Sequence, residues 1–337
     1  MFNKEANLNA AEEALTNWPI KFTQIELASR SENVVYKVRT SGPSVYALRL
    51  HRPGYNSFEE LNSEVNWAQA LREAGIYVPK QIKTKVGANY AQVVPTDSQI
   101  THQVGLIEWL DGEPLAGLIK DSDKQQIEVY YFQLGELMAQ VHNQSTEWRT
   151  PSSFVRRSWN ASGLVGKNPL WGRFWQVDEL DKAQVDLLSR ARANLNLELE
   201  NFELSDDTFG MIHADLHARN VLVNNKKLQI IDFDDCGYGW HAYELAIAEA
   251  DAIGSIDGDV IKPKDIRSAL VNGYKSIRTI KKGFERMLPP LAMVRHLIQL
   301  GWANDRRELL DQKFIESYIS KLCPAVEEYL SQSAKPR

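Results

Sequence analysis

The residues with the clearest chemical capacity are His213-Ala214-Asp215-Leu216-His217-Ala218-Arg219-Asn220. They are followed by Val221-Leu222-Val223, an Asn-Asn-Lys-Lys turn, and Leu228-Gln229-Ile230-Ile231-Asp232-Phe233-Asp234. The pattern is His-x-Asp, an Asn five residues beyond that Asp, a hairpin, and a carboxylate at a strand end. A hairpin after Asn220 returns the chain, so Asp232 is expected beside Asn220. An amide carbonyl and a carboxylate are hard oxygen donors that suit Mg2+. Asp215, on the loop entering the hairpin, is expected to reach a hydroxyl proton. Phosphoryl transfer asks for little more than metal clamping, alignment and a base for the nucleophile. The bland alternative is a polar loop before an ordinary hairpin; motif and strand pattern together favour the chemical reading.

A matching half lies upstream. Ala47 and Arg49 share one face of a strand, because alternate residues point the same way. The small residue leaves room for a flat base, and the cation can reach phosphates. On the next helix Glu64 borders the apolar stripe formed by Leu61, Val65, Ala68 and Leu71. A carboxylate near a core wants a cation, and Arg49 is the candidate, with Glu59 and Glu60 pointing further from the stripe. The alternative is a solvated arginine and a rim carboxylate. The turn Ser29-Arg30-Ser31-Glu32-Asn33 has no glycine. Its amides and serines could cover phosphates, or it is a plain polar hairpin.

The elements that must hold these groups can be read at low resolution. Phe22–Ala28, Val34–Arg39 and Val45–Leu50 are β-rich, the last two separated by Ser41-Gly42-Pro43-Ser44. A helix is expected over 57–74, ending at Gly75. Tyr90–Val94 and Val104–Leu110 are further strands. Beyond Asp111-Gly112 the chain reads as helices over 123–143 and 176–199, a β island over 211–234, and helices from Tyr243 onward. This predicts an α+β, two-lobed arrangement. Residues 1–110 form a small β-rich lobe with one helix, and residues 111–337 form a larger, mostly helical lobe. A cleft between the lobes is expected to take the ligands.

Composition narrows the classes. The chain has 337 residues, 43% hydrophobic and 25% charged, with a formal net charge of −5. These are ordinary globular values, and the acidic balance argues against a dedicated nucleic-acid binder. Two cysteines, Cys236 and Cys323, are too few for a disulfide framework and suit a reducing compartment. There is no apolar run long enough for a membrane span, and the first residues lack the apolar core of a secretory leader. A cytoplasmic protein is expected.

In this order the motifs resemble the aminoglycoside phosphotransferase and choline kinase family, which has the protein-kinase-like fold. The resemblance is carried by Ala47-Leu48-Arg49-Leu50-His51-Arg52-Pro53, the helix with Glu64, and Glu108-Trp109-Leu110-Asp111-Gly112-Glu113-Pro114. His213-Ala214-Asp215 with Asn220, and Asp232-Phe233-Asp234-Asp235, complete it. It implies ATP or GTP as donor and Mg2+ as cofactor. Asp215 then orients or deprotonates the acceptor hydroxyl, and Asn220 and Asp232 bind the metal with Asp234 assisting. Arg49 contacts the α/β phosphates and pairs with Glu64. Backbone groups from Glu108 to Leu110 hold the nucleobase in front of Ala47, while Ser31 and Asn33 lie in the loop over the phosphates. The family's usual lysine is an arginine here, which keeps the charge and can bind phosphate bidentately. Asp-Phe-Asp in place of Asp-Phe-Gly, and the absence of an activation segment before Tyr243-Glu244-Leu245-Ala246, favour a small-molecule kinase. A protein Ser/Thr kinase of the same fold and a nucleotide-binding pseudokinase are the alternatives. The intact Asp215, Asn220 and Asp232 weigh against the latter.

The acceptor is expected to be a small hydroxyl compound. Trp159, Trp171, Trp175 and Trp240, with Glu244, Glu249 and Asp251, could form an amine pocket; packed core is the heavier reading of the tryptophans. No Cys/His cluster points to zinc.

Overall fold

The structure is a computed structural model and describes residues 4–95, 99–256 and 258–333. The elements run α1 (Lys4–Leu15), β1 (Phe22–Arg30), β2 (Val34–Thr40), β3 (Val45–Leu50), α2 (Phe58–Glu73), β4 (Tyr90–Val93), β5 (His102–Glu108) and β6 (Glu113–Pro114). They continue with α3 (Leu115–Lys120), α4 (Lys124–Glu147), β7 (Ser158–Trp159), α5 (Ala161–Val165), α6 (Lys182–Glu200) and β8 (Phe209–Ile212). Then come β9 (Val221–Asn224), β10 (Lys227–Ile230), β11 (Gly237–Trp240), α7 (His241–Ser255), α8 (Pro263–Ile277), α9 (Phe284–Asn304) and α10 (Gln312–Ser333). The chain divides into two compact units. One comprises Met1–Glu113, Trp148–Arg156 and Leu222–Asp234; the other comprises Pro114–Glu147, Arg157–Val221 and Asp235–Arg337. Among the described residues no helix is long and apolar enough to cross a membrane.

The first unit is built on a five-stranded sheet in the order β1-β2-β3-β5-β4 with antiparallel neighbours. Strand alternation sends Leu48 and Leu50 to one face and Ala47 and Arg49 to the other. The first face joins Val34, Tyr36, Val38, Val104 and Leu106 in a core closed by Ala10, Ala11, Ala14, Leu15 and Trp18. Helix α1 is an addition to the one helix expected from patterning. Its buried face is mostly alanine, so it has no strong apolar stripe to read. Helix α2 begins at a capping box, in which Ser57 Oγ accepts from Glu60 N and Glu60 Oε2 accepts from Ser57 N. Gly75, at φ 86°, ends it in the left-handed conformation.

The β9–β10 hairpin turns at Asn225 and Lys226, with φ 48° and 65°, the signature of a type I′ turn. From Leu222 on it belongs to the first unit. There Asn224 Nδ2 and Gln229 Nε2 donate to the Asp111 carbonyl at 3.0 and 2.7 Å. A Cβ at Gly112 would lie 3.1 Å from Val223 O and from Leu222 Cβ, so a side chain there would crowd the connector against the hairpin.

The second unit is mainly helical, with a small sheet in the order β7-β11-β8. The expected helix over 176–199 starts later, at Lys182, because Asp181 and Gln184 form its capping box. Helices α4 and α8 meet backbone to backbone. A Cβ on Gly135 would fall 2.1 Å from Leu270 O, and one on Gly273 would fall 1.9 Å from Phe132 O.

Buried between these helices and α7 is a stacked pair, His142 and His241, with centroids 4.3 Å apart. His142 Nδ1 pairs with Tyr274 Oη at 2.9 Å, and His241 Nδ1 lies 3.1 Å from Asp207 O. Burial lowers both pKa values from 6.5, that of His241 to about 3, with Arg278 adding to the effect on each ring. In acid the unfolded chain takes up protons that the folded chain refuses, so this pair's contribution to stability is full above pH 6.5 and shrinks below it. The stability of the wild type relative to His142→Phe is therefore expected to fall by about 1 kcal/mol between pH 6 and pH 5 in urea titrations. An unchanged difference would show that the ring protonates freely in the fold.

Candidate active site

In the first unit β3 delivers Arg49 to three carboxylates. Its Nη1 lies 3.2 Å from Glu64 Oε1, and its Nη2 lies 3.0 Å from Asp232 Oδ1 and 2.9 Å from Asp234 Oδ1. The structure thus brings together the strand cation, the α2 carboxylate and both acids after the hairpin. Burial alone would lower the Arg49 pKa, but Asp234, Glu64 and Asp232 reverse this and raise it. Burial lifts Glu64 to about 7 against the pull of Arg49. Asp234 is held below the usual carboxylate range, because Arg49, His51 and Asn33 outweigh its burial.

The two acids differ in setting. The Asp234 side chain is 5% exposed and the Asp232 side chain 45%. Asn33 Nδ2 donates to Asp234 Oδ2, and Arg156 Nη2 and Asn56 Nδ2 hold the Asp234 carbonyl at 2.7 and 3.2 Å. Asp232, in contrast, sits at φ 69°, a strained conformation for a non-glycine residue.

Ser31 is exposed on the β1–β2 turn, where its N–H donates to Asn33 O at 3.0 Å. Asn33 is buried and accepts from Arg52 N at 3.1 Å, so its side chain ties the turn to Asp234 and Arg52. Ala47 pairs with Ile107 across β3 and β5. A cavity of about 450 Å3 opens on that face, with Arg49, Glu64, Ala68, Ile107, Asp232 and Phe233 among its lining. The N–H groups of Glu108 and Trp109 are taken by Lys80 O and Val45 O at 2.8 and 3.1 Å. Leu110, half-buried on the connector, keeps its N–H without a partner among the described residues.

In the second unit the loop after β8 holds Asp215 in a ring of donors. Asn220 Nδ2 donates to Asp215 Oδ2 and O at 2.9 and 3.0 Å. His217 Nε2 lies 3.3 Å from Oδ2, while its Nδ1 accepts from Arg219 N, which places the ring proton on the side of Asp215. Arg295 Nη2 contacts Oδ1. Burial alone would raise the Asp215 pKa, but His217 and Arg295 hold it well below the ordinary value. The loop is shaped by Glu244, whose Oε1 and Oε2 accept from His213 N at 3.0 Å and Ala214 N at 2.8 Å. Ala214 has φ 64°, and the two bonds offset that strain. Burial pushes Glu244 up to about 8 against these donors.

Three of these groups escape the motif reading. Glu244, proposed for an amine pocket, is instead the brace of the loop. Its companions Glu249 and Asp251 are engaged by Arg267 and Arg219. His217 and Arg295 flank Asp215, and Arg295 has one visible signal, a lone charge in the apolar run Leu291–Leu300. Trp159, Trp171 and Trp240 are buried, whereas Trp175 is half-buried under Arg192 at 4.3 Å.

The donor chemistry fits a divalent cation. Both hydrogens of the Asn220 amide go to Asp215, which leaves Oδ1 as a hard oxygen. Asp232 offers an exposed carboxylate. Mg2+ commonly takes one or two such groups and completes its shell with phosphate oxygens and water.

The arginine clamped by carboxylates and the braced His-x-Asp loop, in this chain order, are parts of a phosphotransferase of the protein-kinase-like fold. The family model described as "Phosphotransferase enzyme family" matches residues 23–279, and the chain belongs to that family. It is a small-molecule kinase. It is 29% identical to the solved structure of a microcompartment-associated aminopropanol kinase, with a TM-score of 0.81 over 96% of this chain and 98% of that one. A solved amicoumacin kinase in complex with AMP-PNP, Ca2+ and Ami gives a TM-score of 0.78 at 18% identity, over 97% and 94% of the two chains. Hydroxylysine kinase of Mus musculus is 25% identical over 317 residues, covering 89% of this chain and 76% of the relative.

Proposed function

We propose that the protein moves the γ-phosphoryl group of ATP, or GTP, to a hydroxyl of a small, amine-bearing molecule with Mg2+ as cofactor. The observation that carries this is the held Asp215, whose carboxylate is ionised and oriented by Asn220, His217 and Arg295. The hydroxyl oxygen attacks the γ-phosphorus, and the bond from that phosphorus to the β–γ bridging oxygen breaks. The nucleoside diphosphate leaves, and the hydroxyl proton passes to the Asp215 carboxylate. Mg2+, when bound, supplies charge neutralisation of the phosphates; Asn220 and Asp232 would hold it, with Asp234, two residues beyond Asp232, assisting. Arg49 meets the α/β phosphates, and Glu64 keeps it extended. Residues 1–110, with Ser31 and Asn33 on the phosphate side and Ala47, Glu108 and Leu110 around the base, form the nucleotide lobe. Residues 111–337 supply catalysis and acceptor binding. Support comes from the family match, from the AMP-PNP and Ca2+ named for the amicoumacin kinase, and from the amine-bearing alcohols named for the other two relatives. Cys236 and Cys323, buried and outside any disulfide, fit a cytoplasmic setting.

The test is incubation with γ-labelled ATP against a panel of small hydroxyl compounds and, separately, a panel of proteins. Label is expected on a small hydroxyl amine. Label on protein alone would reverse the reading in favour of a protein kinase.

A further inference from the structure

Arg295 has more hydrogen-bonding capacity than Asp215 uses. Its side chain is 4% exposed, and Nη2 contacts Asp215 Oδ1. Among the described residues neither Nε nor Nη1 finds a hydrogen-bond acceptor, although both are buried. The guanidinium lies over the Trp171 ring at 4.6 Å, and Trp171 is itself set edge-on to Trp159 at 5.4 Å. The aromatic stack therefore fixes the plane of the guanidinium and leaves the remaining donors at its edge. Tyr243 comes within interaction distance of the guanidinium, which is the one polar side chain its hydroxyl approaches as a hydrogen-bonding neighbour, but among the described residues that hydroxyl has no partner of good hydrogen-bond geometry. Of the other carboxylates near the guanidinium, Asp235 has Arg157 at 3.8 Å, and Glu244 accepts from the His213 and Ala214 amides with its two oxygens. Buried charged donors left open are costly, and a cluster of them beside the proton acceptor of a kinase is accounted for by a ligand.

We infer that Arg295 is a specificity-determining residue: it receives an anionic group of the acceptor, a carboxylate, while the same molecule presents its hydroxyl to Asp215. This rests on the phosphotransferase reading and narrows the acceptor to a hydroxy acid, with an amino acid bearing a side-chain hydroxyl as the class that also carries the amine. The geometry sets the size. A hydroxyl on Asp215 and a carboxylate oxygen on Nη1 or Nε stand on the order of 4–6 Å apart, given ordinary hydrogen-bond lengths, which a short aliphatic chain spans. The guanidinium thereby serves two partners, holding the base with one nitrogen and measuring the acceptor with the others.

The experiment compares acceptors that differ only in the carboxylate, each with saturating Mg-ATP. The pairs are threonine and 1-aminopropan-2-ol, homoserine and 3-aminopropan-1-ol, and 5-hydroxylysine and 1,5-diaminopentan-2-ol. For the wild type, kcat/KM is expected to be about 10- to 100-fold higher for the acid of the preferred pair. In Arg295→Gln that ratio should collapse to near one, while Arg295→Lys keeps part of it. Misplacement of Asp215 alone would slow both members of a pair equally and leave the ratio unchanged, which would overturn the inference. An amino alcohol used as well as its acid by the wild type would also overturn it, without need of any variant, and would leave the kinase reading standing. Transfer to none of the six, with Mg-ATP still bound, would sink the small hydroxyl-amine reading and this inference together.

Discussion

Asp215→Asn is expected to lower kcat by about 10²- to 10⁴-fold, the usual range for a lost general base, with the affinity for Mg-nucleotide unchanged. The substitution keeps the size of the side chain and an oxygen for Arg295, so the loop braced by Glu244 should survive. What it removes is the site for the hydroxyl proton and the negative charge that orients His217 and Arg295. Steady-state kinetics with the best acceptor, beside calorimetric titration of nucleotide, separates the two effects. Wild-type turnover in this variant would remove Asp215 from the chemistry.

Asp232→Ala is expected to act on the donor. It should weaken nucleotide binding in Mg2+ and lower kcat by about 10²- to 10³-fold, in line with removal of one preorganised electrostatic group. Binding measured in EDTA should change little. The variant should fold, because Asp232 is the exposed member of the cluster and Arg49 keeps Glu64 and Asp234 as partners. Full Mg2+-dependent affinity in Asp232→Ala would move the metal role to Asp234.

The parts legible in the sequence were those set by local rules. Period-two runs gave β2 and β3 nearly to the residue, and Ser57 with Glu60 marks the start of α2. The pairing of Arg49 with Glu64 was legible because a carboxylate at the edge of an apolar stripe must find a cation. Helix α1 was not, since alanines bury well without forming a visible stripe. The partners of Asp215 were hidden for another reason. Arg295 lies 80 positions away and Glu244 lies 30 from Ala214, and no local pattern encodes such separations. Asn33 shows the converse. Its position in the turn was clear, but its commitment to Asp234 depends on a contact across 201 positions.

The glycine crossing of α4 and α8 bears on how the helical unit can move. Helices separated by side chains slide a little as rotamers change. Gly135 and Gly273 leave no such cushion, because carbonyls of one helix press on the Cα atoms of the other. These two rods are welded into a single plate, so whatever yielding turnover demands of this unit has to come from its loops and its other helices.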